Sequence, residues 1–575
     1  MEQLETNADS RKGNSPLQMT DCGVYAYLSL CSISLGKLFP GDCNVEFNET
    51  YMKSLCKYFH VKETQESVMM VLLKDDCGQT TEPYISLLLR EPGIDGRGIL
   101  VIQLTVFIAV QSGEYDARQR VLVRKLADMF AVPFDLVELY EHSLVSLLND
   151  EEPSQTEEEQ RASARRQRMK KIKRYASVGI ATLAGGTLIG LTGGLAAPLI
   201  GVGVGTILGG ATTVALTSAA GVTIIGSIFG VAGAGLTGYK MNKRVGELEE
   251  FSFQPLNCAS ETDSQLHIAI AITGWLKSED QAAILKPWRC LAISREQYAL
   301  RYETKYLIEL GQALEYILSM AVSFATQEAL KYTIFSGLMS AIAWPTALLS
   351  ISSVIDNPWS VCCRRSSEVG KHLAHVLLSR QHGKRPVTLI GYSLGARVIF
   401  YCLREMSETG GKNAFGIIQD AILLGAPVTA NEQQWKKCTS VVAGRIVNGY
   451  ARTDWLLRFL YRTFSMTTAV AGLMPLDYPG IDNIDLATVV GGHMEYSEKL
   501  DDILRFVGVK LRYGEILDDQ GLLKNSTSEY DQKAYLQRTK SAGGLRESKS
   551  DTCLASKVLP GGMKNQIEPT NPSVN

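Results

Sequence analysis

Apolar residues recur at helical spacing along residues 17–148. In residues 115–130 the apolar side chains fall on one face and the charged side chains on the other, which is typical of a helix that packs on a core. Residues 99–110 carry no charge, but twelve residues are too few to cross a bilayer, so we expect a buried helix there. A further helix is expected at residues 133–148. Together these patterns predict a helical domain over residues 17–148.

A charged segment and a long uncharged segment follow this domain. In residues 149–174, Glu157 precedes Arg161 by four positions, and such pairs predict an exposed helix or a weak coiled coil. Residues 175–239 contain no charged residue, exceed the ~20 residues of one membrane span, and repeat glycine every four positions. Basic residues flank both ends, which predicts two spans with both termini in the cytosol. A glycine-rich soluble core is the alternative.

From residue 264 the pattern changes to short apolar runs that alternate with helices, as a parallel sheet requires. Helices are expected at residues 303–320, 396–403 and 498–506. Residues 264–512 are therefore predicted to be an α/β domain, a sheet with flanking helices. Its strands are expected at residues 266–272, 297–302, 387–390, 417–424, 445–447 and 486–490.

Several segments lie outside these predicted elements. Residues 332–355 carry no charge, yet a single crossing there would place strands of one sheet on opposite sides of a membrane. We therefore interpret this segment as buried helices against the sheet, or as a re-entrant or lid-like surface that touches lipid. Residues 240–263 are expected to be a linker, and residues 1–16 and 513–575 to be disordered termini.

Composition narrows the class of protein. The net charge of −2 and the 45% hydrophobic content of the 575 residues argue against nucleic-acid binding by bulk charge. The twelve cysteines form no C-x-x-C pair and no regular framework, which indicates reduced thiols rather than disulfides or zinc sites. Neither a phosphate-binding loop nor a dinucleotide fingerprint is present, so no cofactor and no metal is expected.

The most specific motif is Gly391-Tyr-Ser-Leu-Gly395, which matches the G-x-S-x-G pattern between a predicted strand and a predicted helix. The two glycines leave room where the helix packs closely on the strand. Ser393 is expected to project as a nucleophile from a strained turn. Two backbone N–H groups should form an oxyanion hole, one from Leu394 and one from Gly274 or Trp275 in the loop after the first strand.

The base and the acid follow from chain order. In an α/β-hydrolase the order is serine, acid, histidine. Six of the seven histidines precede Ser393, so His493 is the predicted base, with a turn histidine of no role as the alternative. Asp454 follows the strand at residues 445–447 and is the predicted acid, although it could instead cap a helix. Two further carboxylates in the same interval remain alternatives, Asp482 and Asp485.

Five motifs between residues 272 and 496 resemble a eukaryotic family of membrane-associated α/β-hydrolase-like proteins. The resemblance implies a catalytic triad of Ser393, Asp454 and His493. Fungal members are regarded as membrane lipases linked to trafficking, which implies a Golgi or endosomal membrane. The five motifs are Ile272-Thr-Gly-Trp-Leu276, Gly391-Tyr-Ser-Leu-Gly-Ala-Arg397, Leu424-Gly-Ala-Pro427, Asn448-Gly-Tyr-Ala-Arg-Thr-Asp-Trp455 and Gly492-His-Met-Glu-Tyr496.

The sequence is consistent with two classes of function. The first is a membrane-anchored serine hydrolase that cleaves an acyl ester of a lipid or of an acylated protein. The alternative is a catalytically inactive hydrolase fold that acts as an adaptor or scaffold in membrane trafficking. The expected partners are membrane lipids and trafficking proteins, and no nucleic acid. A pore is not expected, because the predicted spans carry no charged residue to line it.

Overall fold

The order of elements separates an all-helical part from a part built on one sheet. The predictions for residues 149–174 and 175–239, and for both termini, lie outside the residues that the structure describes. Among the described residues, no helix has both the length and the apolar character to cross a membrane. The computed structural model describes residues 17–74, 80–148, 248–256, 265–291, 294, 296–329, 346–380, 382–464 and 469–511.

The first part consists of helices that pack around a shared apolar core. The helices predicted at residues 99–110, 115–130 and 133–148 are confirmed as α5, α6 and α7. Nearly every residue of α5 is buried, which explains why an uncharged helix occurs there. Bounds are α1 Asp21–Leu38, α2 Asp42–Tyr58, α3 Glu63–Lys74, α4 Glu82–Leu89, α5 Gly98–Gln111, α6 Ala117–Met129 and α7 Phe134–Leu148.

The second part is a seven-stranded sheet of order β1-β3-β2-β4-β5-β6-β7. Only β1 runs antiparallel to its neighbour, and the other pairings are parallel. Every residue of β2, β4, β5 and β6 is buried, as expected for strands covered on both faces. Bounds are β1 Phe251–Pro255, β2 Ile268–Ile272, β3 Glu296–Tyr302, β4 Val387–Tyr392, β5 Ile418–Leu424, β6 Ile446–Tyr450 and β7 Ile481–Asp485.

Helices connect and flank these strands. The segment at residues 332–355 is only partly described, and its described portion, from Thr346, is the beginning of the long helix α10. Helix α10 packs against α11, the helix that follows β4. Bounds are α8 Gln281–Leu285, α9 Thr304–Ala329, α10 Thr346–Leu378, α11 Leu394–Thr409, α12 Glu432–Ser440, α13 Trp455–Phe464 and α14 Leu500–Phe506.

The two edge strands differ from the sequence predictions. Among the described residues the last strand is β7 at residues 481–485, so the strand predicted at residues 486–490 is wrong. Val489 and Val490 instead donate their N–H groups to the Leu486 carbonyl in a turn. An edge strand exposes part of its length, so β7 lacks the apolar run that marks a central strand. For the same reason the sequence pattern does not indicate β1, which lies within residues 240–263, the predicted linker. The prediction of a linker there is therefore wrong for residues 251–255.

Buried ionic contacts join the helical part to the amino-terminal end of β5. Arg120 donates to both carboxylate oxygens of Glu141 and, across 2.8 Å, to the side-chain oxygen of Gln419. Arg124 donates to both oxygens of Asp420. Burial favours the protonated form of Asp420, but Arg124 and Arg445 together outweigh it and hold the pKa of this carboxyl below its ordinary value. Paired charged and polar side chains therefore hold the helical part against β5.

Removing one member of the buried Arg120–Glu141 pair should destabilise the fold. Glu141→Gln leaves the Arg120 charge buried without its partner and should lower the free energy of unfolding by about 3–5 kcal/mol. The control Glu46→Gln removes an exposed carboxylate that pairs with Lys412 across the same two parts, and should change it by less than about 0.5 kcal/mol. Denaturant titration of the full chain measures both values. Equal losses in the two variants would contradict this account of the docking.

Candidate active site

The turn between β4 and α11 carries Ser393 in a strained backbone conformation. Its φ of 52° and ψ of −121° are unusual for a residue other than glycine. A Cβ atom at Gly395 would lie 2.6 Å from the Ile272 carbonyl carbon, and one at Gly391 would lie 2.7 Å from the Gly395 carbonyl carbon. The two glycines of the motif therefore permit the close approach of β2, β4 and α11. This packing holds the serine at the carboxyl edge of the sheet.

Ser393, His493 and Asp454 form one line of hydrogen bonds. Ser393 Oγ lies 2.7 Å from His493 Nε2, and His493 Nδ1 lies 2.6 Å from Asp454 Oδ2. The ionised carboxylate can only accept, so Nδ1 donates to it and Nε2 is left to accept from the serine hydroxyl. All three residues are at most 1% exposed. The structure thus brings together three residues that are separated by up to a hundred positions in the chain.

Asp454 also caps a helix, and its two carboxylate oxygens accept from different partners. Its Oδ1 accepts from the Leu457 N–H at 2.9 Å, at the start of α13, while Oδ2 faces His493. The alternative carboxylates lie elsewhere. Asp482 is 3.9 Å from Arg445, and Asp485 is 3.5 Å from Arg452. Both are considerably exposed, whereas the carboxylate that meets the imidazole is buried.

The loop after β2 lies directly against the turn that carries Ser393. A Cβ atom at Gly274 would lie 2.6 Å from Ser393 Cβ and 3.1 Å from the Leu394 nitrogen. Leu394 is the first residue of α11, so its N–H has no acceptor within the helix. Further along the loop, the Leu276 N–H donates to the Leu307 carbonyl. Gly274 therefore lies beside Ser393 and Leu394, and Trp275 follows it in the same loop; the predicted oxyanion hole stays a prediction.

Aromatic residues that the sequence analysis did not single out support this loop. The Tyr302 hydroxyl donates to the Thr273 carbonyl at 2.8 Å, and Trp288 Nε1 donates to the Thr273 hydroxyl at 3.0 Å. Burial raises the pKa of Tyr392, and hydrogen bonds from Thr273 and the Gly274 backbone oppose that rise. Nothing in the local sequence of Trp288 or Tyr302 indicates these contacts, because the partners meet only after the sheet has formed.

Two rings enclose the imidazole. The Trp275 ring lies 5.3 Å from the His493 ring, and the Tyr496 ring lies 5.6 Å from it. Burial and the nearby Asp454 carboxylate raise the pKa of Tyr496, which therefore stays protonated near neutral pH. The enclosure keeps water away from the hydrogen-bonded line and limits rotation of the imidazole. Within the described residues, no three His, Cys, Asp or Glu side chains are grouped to hold a metal ion.

Comparison with known proteins gives one family and several relatives. A family model described as a protein of unknown function, DUF726, matches residues 170–510. An uncharacterized membrane protein of Caenorhabditis elegans is 49% identical over 75% of this chain and 70% of its own length. Transmembrane and coiled-coil domain-containing protein STS1 of rice is 37% identical over 69% of this chain.

A more distant relative carries an enzyme name. Probable lipase MIL1 of Saccharomyces cerevisiae is 30% identical over 80% of this chain. The matched region covers 62% of the rice protein and 43% of the yeast protein, so this chain spans less than two thirds of either. No solved structure matches the chain.

The close packing at Gly274 can be tested by adding a methyl group. Gly274→Ala forces the loop away from the nucleophile turn and should lower the free energy of unfolding by about 1–3 kcal/mol. Gly492→Ala is the control, because its Cβ would meet nothing nearer than Trp455 Nε1 at 3.9 Å, and it should change this energy by less than about 0.5 kcal/mol. Denaturant titration measures both. Unchanged stability of Gly274→Ala would contradict the tight contact.

Proposed function

The chain belongs to the DUF726 family, and we propose that it is a membrane-associated serine hydrolase that cleaves an acyl ester of a lipid or of an acylated protein. One observation carries the proposal: the hydrogen-bonded line from Ser393 through His493 to Asp454. A buried serine next to an imidazole that a carboxylate orients is the arrangement that activates a hydroxyl as a nucleophile.

The chemistry runs in two halves. Ser393 Oγ attacks the ester carbonyl carbon while His493 Nε2 takes the hydroxyl proton. The Asp454 carboxylate holds Nδ1–H and stabilises the imidazolium that forms. Collapse of the tetrahedral intermediate breaks the carbon–oxygen bond, and His493 gives its proton to the leaving alcohol. A water molecule, deprotonated by His493, then attacks the acyl-serine, and the carboxylic acid and the free hydroxyl are released.

Two backbone N–H groups would stabilise the oxyanion. Leu394 supplies the first, from the N-terminus of α11, where the helix dipole also favours negative charge. The second comes from the Gly274–Trp275 loop, where Trp275 is favoured, because the Gly274 backbone is hydrogen-bonded to Tyr392 and the Leu276 N–H donates to the Leu307 carbonyl. The strained backbone at Ser393 is consistent with this role, because a nucleophile on a sharp strand-to-helix turn has such a conformation.

The order of the sheet supports an α/β-hydrolase-like fold. The proposed nucleophile follows β4, the acid follows β6 and the base follows β7, so all three leave the carboxyl ends of parallel strands. The strand order reverses between β2 and β4, and the crevice at such a switch point is where α/β proteins bind ligands. Ser393 and Gly274 follow these two strands directly.

A lipid or lipid-modified substrate agrees with the family. Relatives from nematode and rice are named as membrane or transmembrane proteins, and the yeast relative is named a probable lipase. We propose that residues 175–239 anchor the chain by two spans, on a Golgi or endosomal membrane, where lipids and trafficking proteins are its partners. Because Ser393 and His493 are almost fully buried, an ester reaches them only when covering residues move.

A fluorophosphonate probe tests the nucleophile. The folded wild-type chain should become covalently labelled, and both Ser393→Ala and His493→Ala should lose the label, because one removes the attacking oxygen and the other its base. Ser407→Ala, on the same helix, is the control and should keep full labelling. Gel fluorescence measures the extent. A folded wild-type chain that takes no label would instead favour the inactive adaptor or scaffold.

The acid can be tested apart from helix capping. Asp454→Asn keeps the cap on α13, since asparagine caps as well as aspartate, but it no longer supports the required histidine tautomer. Hydrolysis of a p-nitrophenyl acyl ester should therefore slow by roughly 10⁴-fold, while the melting temperature changes little. Asp485→Asn is the control and should hydrolyse the ester at the wild-type rate. A normal rate in Asp454→Asn would exclude that carboxylate as the acid.

A further inference from the structure

A cavity lies beside α11, the helix that follows Ser393. It is a half-open cleft of about 540 Å³ between α10, α11, α12 and α13. Its walls are aromatic and polar, with Trp359 and Tyr461 among the rings and Gln434 among the polar groups. Among the residues that line it, Arg397 and Arg404 are charged, and both are cations. The cavity therefore presents positive charge within a partly apolar enclosure.

Arg397 brings a positive charge that its own contacts do not neutralise. Its Nε donates to the Cys363 carbonyl at 3.1 Å, and its Nη1 donates to the Pro427 carbonyl at 2.9 Å. Its Nη2 donates to the hydroxyls of Ser367 and Tyr401. All four acceptors are neutral, so they fix the guanidinium in place and leave its charge to act on the cavity.

Arg404 is held by rings and keeps hydrogen-bonding capacity. Its guanidinium lies 5.9 Å from the Phe400 ring centroid and 5.4 Å from that of Tyr401. Its Nη2 reaches Glu408 at 3.3 Å, but Glu408 also accepts from Lys437 at 2.8 Å. Within the described residues, the buried Arg404 Nε has no acceptor. One carboxylate is thus shared by two cations, and an N–H donor of Arg404 remains to be satisfied.

We propose that this cavity binds a phosphate group. A phosphate offers acceptor oxygens to the accessible part of the Arg404 guanidinium, whose fork matches the geometry of a phosphate. The guanidinium of Arg397 is already held in place by its neutral acceptors. Its positive charge therefore adds attraction for the phosphate. A neutral acyl chain would leave the Arg397 charge uncompensated. The volume exceeds that of free phosphate and also accommodates a phosphorylated lipid headgroup.

Occupation of the cavity is connected to the nucleophile through one helix. Arg397, whose side chain lines the cavity, donates its backbone N–H to the Ser393 carbonyl at 3.1 Å. A bound phosphate would therefore stabilise the first turn of α11 from the side. This binding does not depend on hydrolysis, so it can be examined in a chain that lacks the nucleophile.

Calorimetric titration of the full-length Ser393→Ala chain in neutral detergent tests the proposal. The two probes are inorganic phosphate and dihexanoyl phosphatidic acid. Adding Arg404→Gln should weaken binding by about tenfold or more, because it removes a charged donor. Adding Arg404→Lys should give an intermediate loss, because the charge stays and the fork is lost. Lys436→Gln, an exposed charge-matched control on α12, should leave affinity unchanged.

The outcomes separate the sources of the phosphate. Binding of both probes identifies the phosphate group itself as the ligand, and binding of the lipid alone identifies a lipid headgroup. The proposal is overturned if neither probe binds, or if Arg404→Gln and Lys436→Gln weaken binding equally. A melting curve accompanies each variant, and Arg404→Lys decides the question if Arg404→Gln does not fold. Failure here leaves the serine hydrolase proposal untouched, because the nucleophile is absent throughout.

Discussion

The imidazole of His493 is the group on which the site depends, because it must hydrogen-bond at both nitrogens where water is absent. Buried polar groups without partners are costly, so Ser393 and Asp454 have to arrive on either side of it. Each arrives from the end of a different parallel strand. The register of β4, β6 and β7 therefore fixes the distances between the three side chains, and the rings of Trp275 and Tyr496 exclude water around them.

The two ends of the sheet contact different parts of the protein. At the carboxyl ends, glycine allows the β2 loop to approach the nucleophile turn. At the amino-terminal end of β5, Gln419 and Asp420 receive two arginines from the helical part. The helical part therefore packs on the end of the sheet that is remote from Ser393. A mutation at this contact is expected to lower the free energy of unfolding more than it changes the geometry of the site.

The sequence predicted the features that depend on a local pattern of residues or on the order of residues in the chain. The turn at Ser393 has a local signature, and His493 is the histidine that follows it, so both were found without contacts. The central strands were found because burial on both faces gives continuous apolar runs. The edge strands β1 and β7 lack such runs. Contacts such as Trp288 with Thr273, or Arg120 with Gln419 across 299 positions, leave no periodic trace in the sequence.

An experimental structure of the full chain after reaction with a phosphonate inhibitor tests the central claim most directly. The phosphoryl oxygen of the adduct stands in for the oxyanion of the tetrahedral intermediate. The account predicts phosphorus bonded to Ser393 Oγ, with that oxygen between the Leu394 N–H and an N–H of the Gly274–Trp275 loop, and His493 still bonded to Asp454. An adduct on another residue, or an imidazole turned away from Asp454, would contradict it.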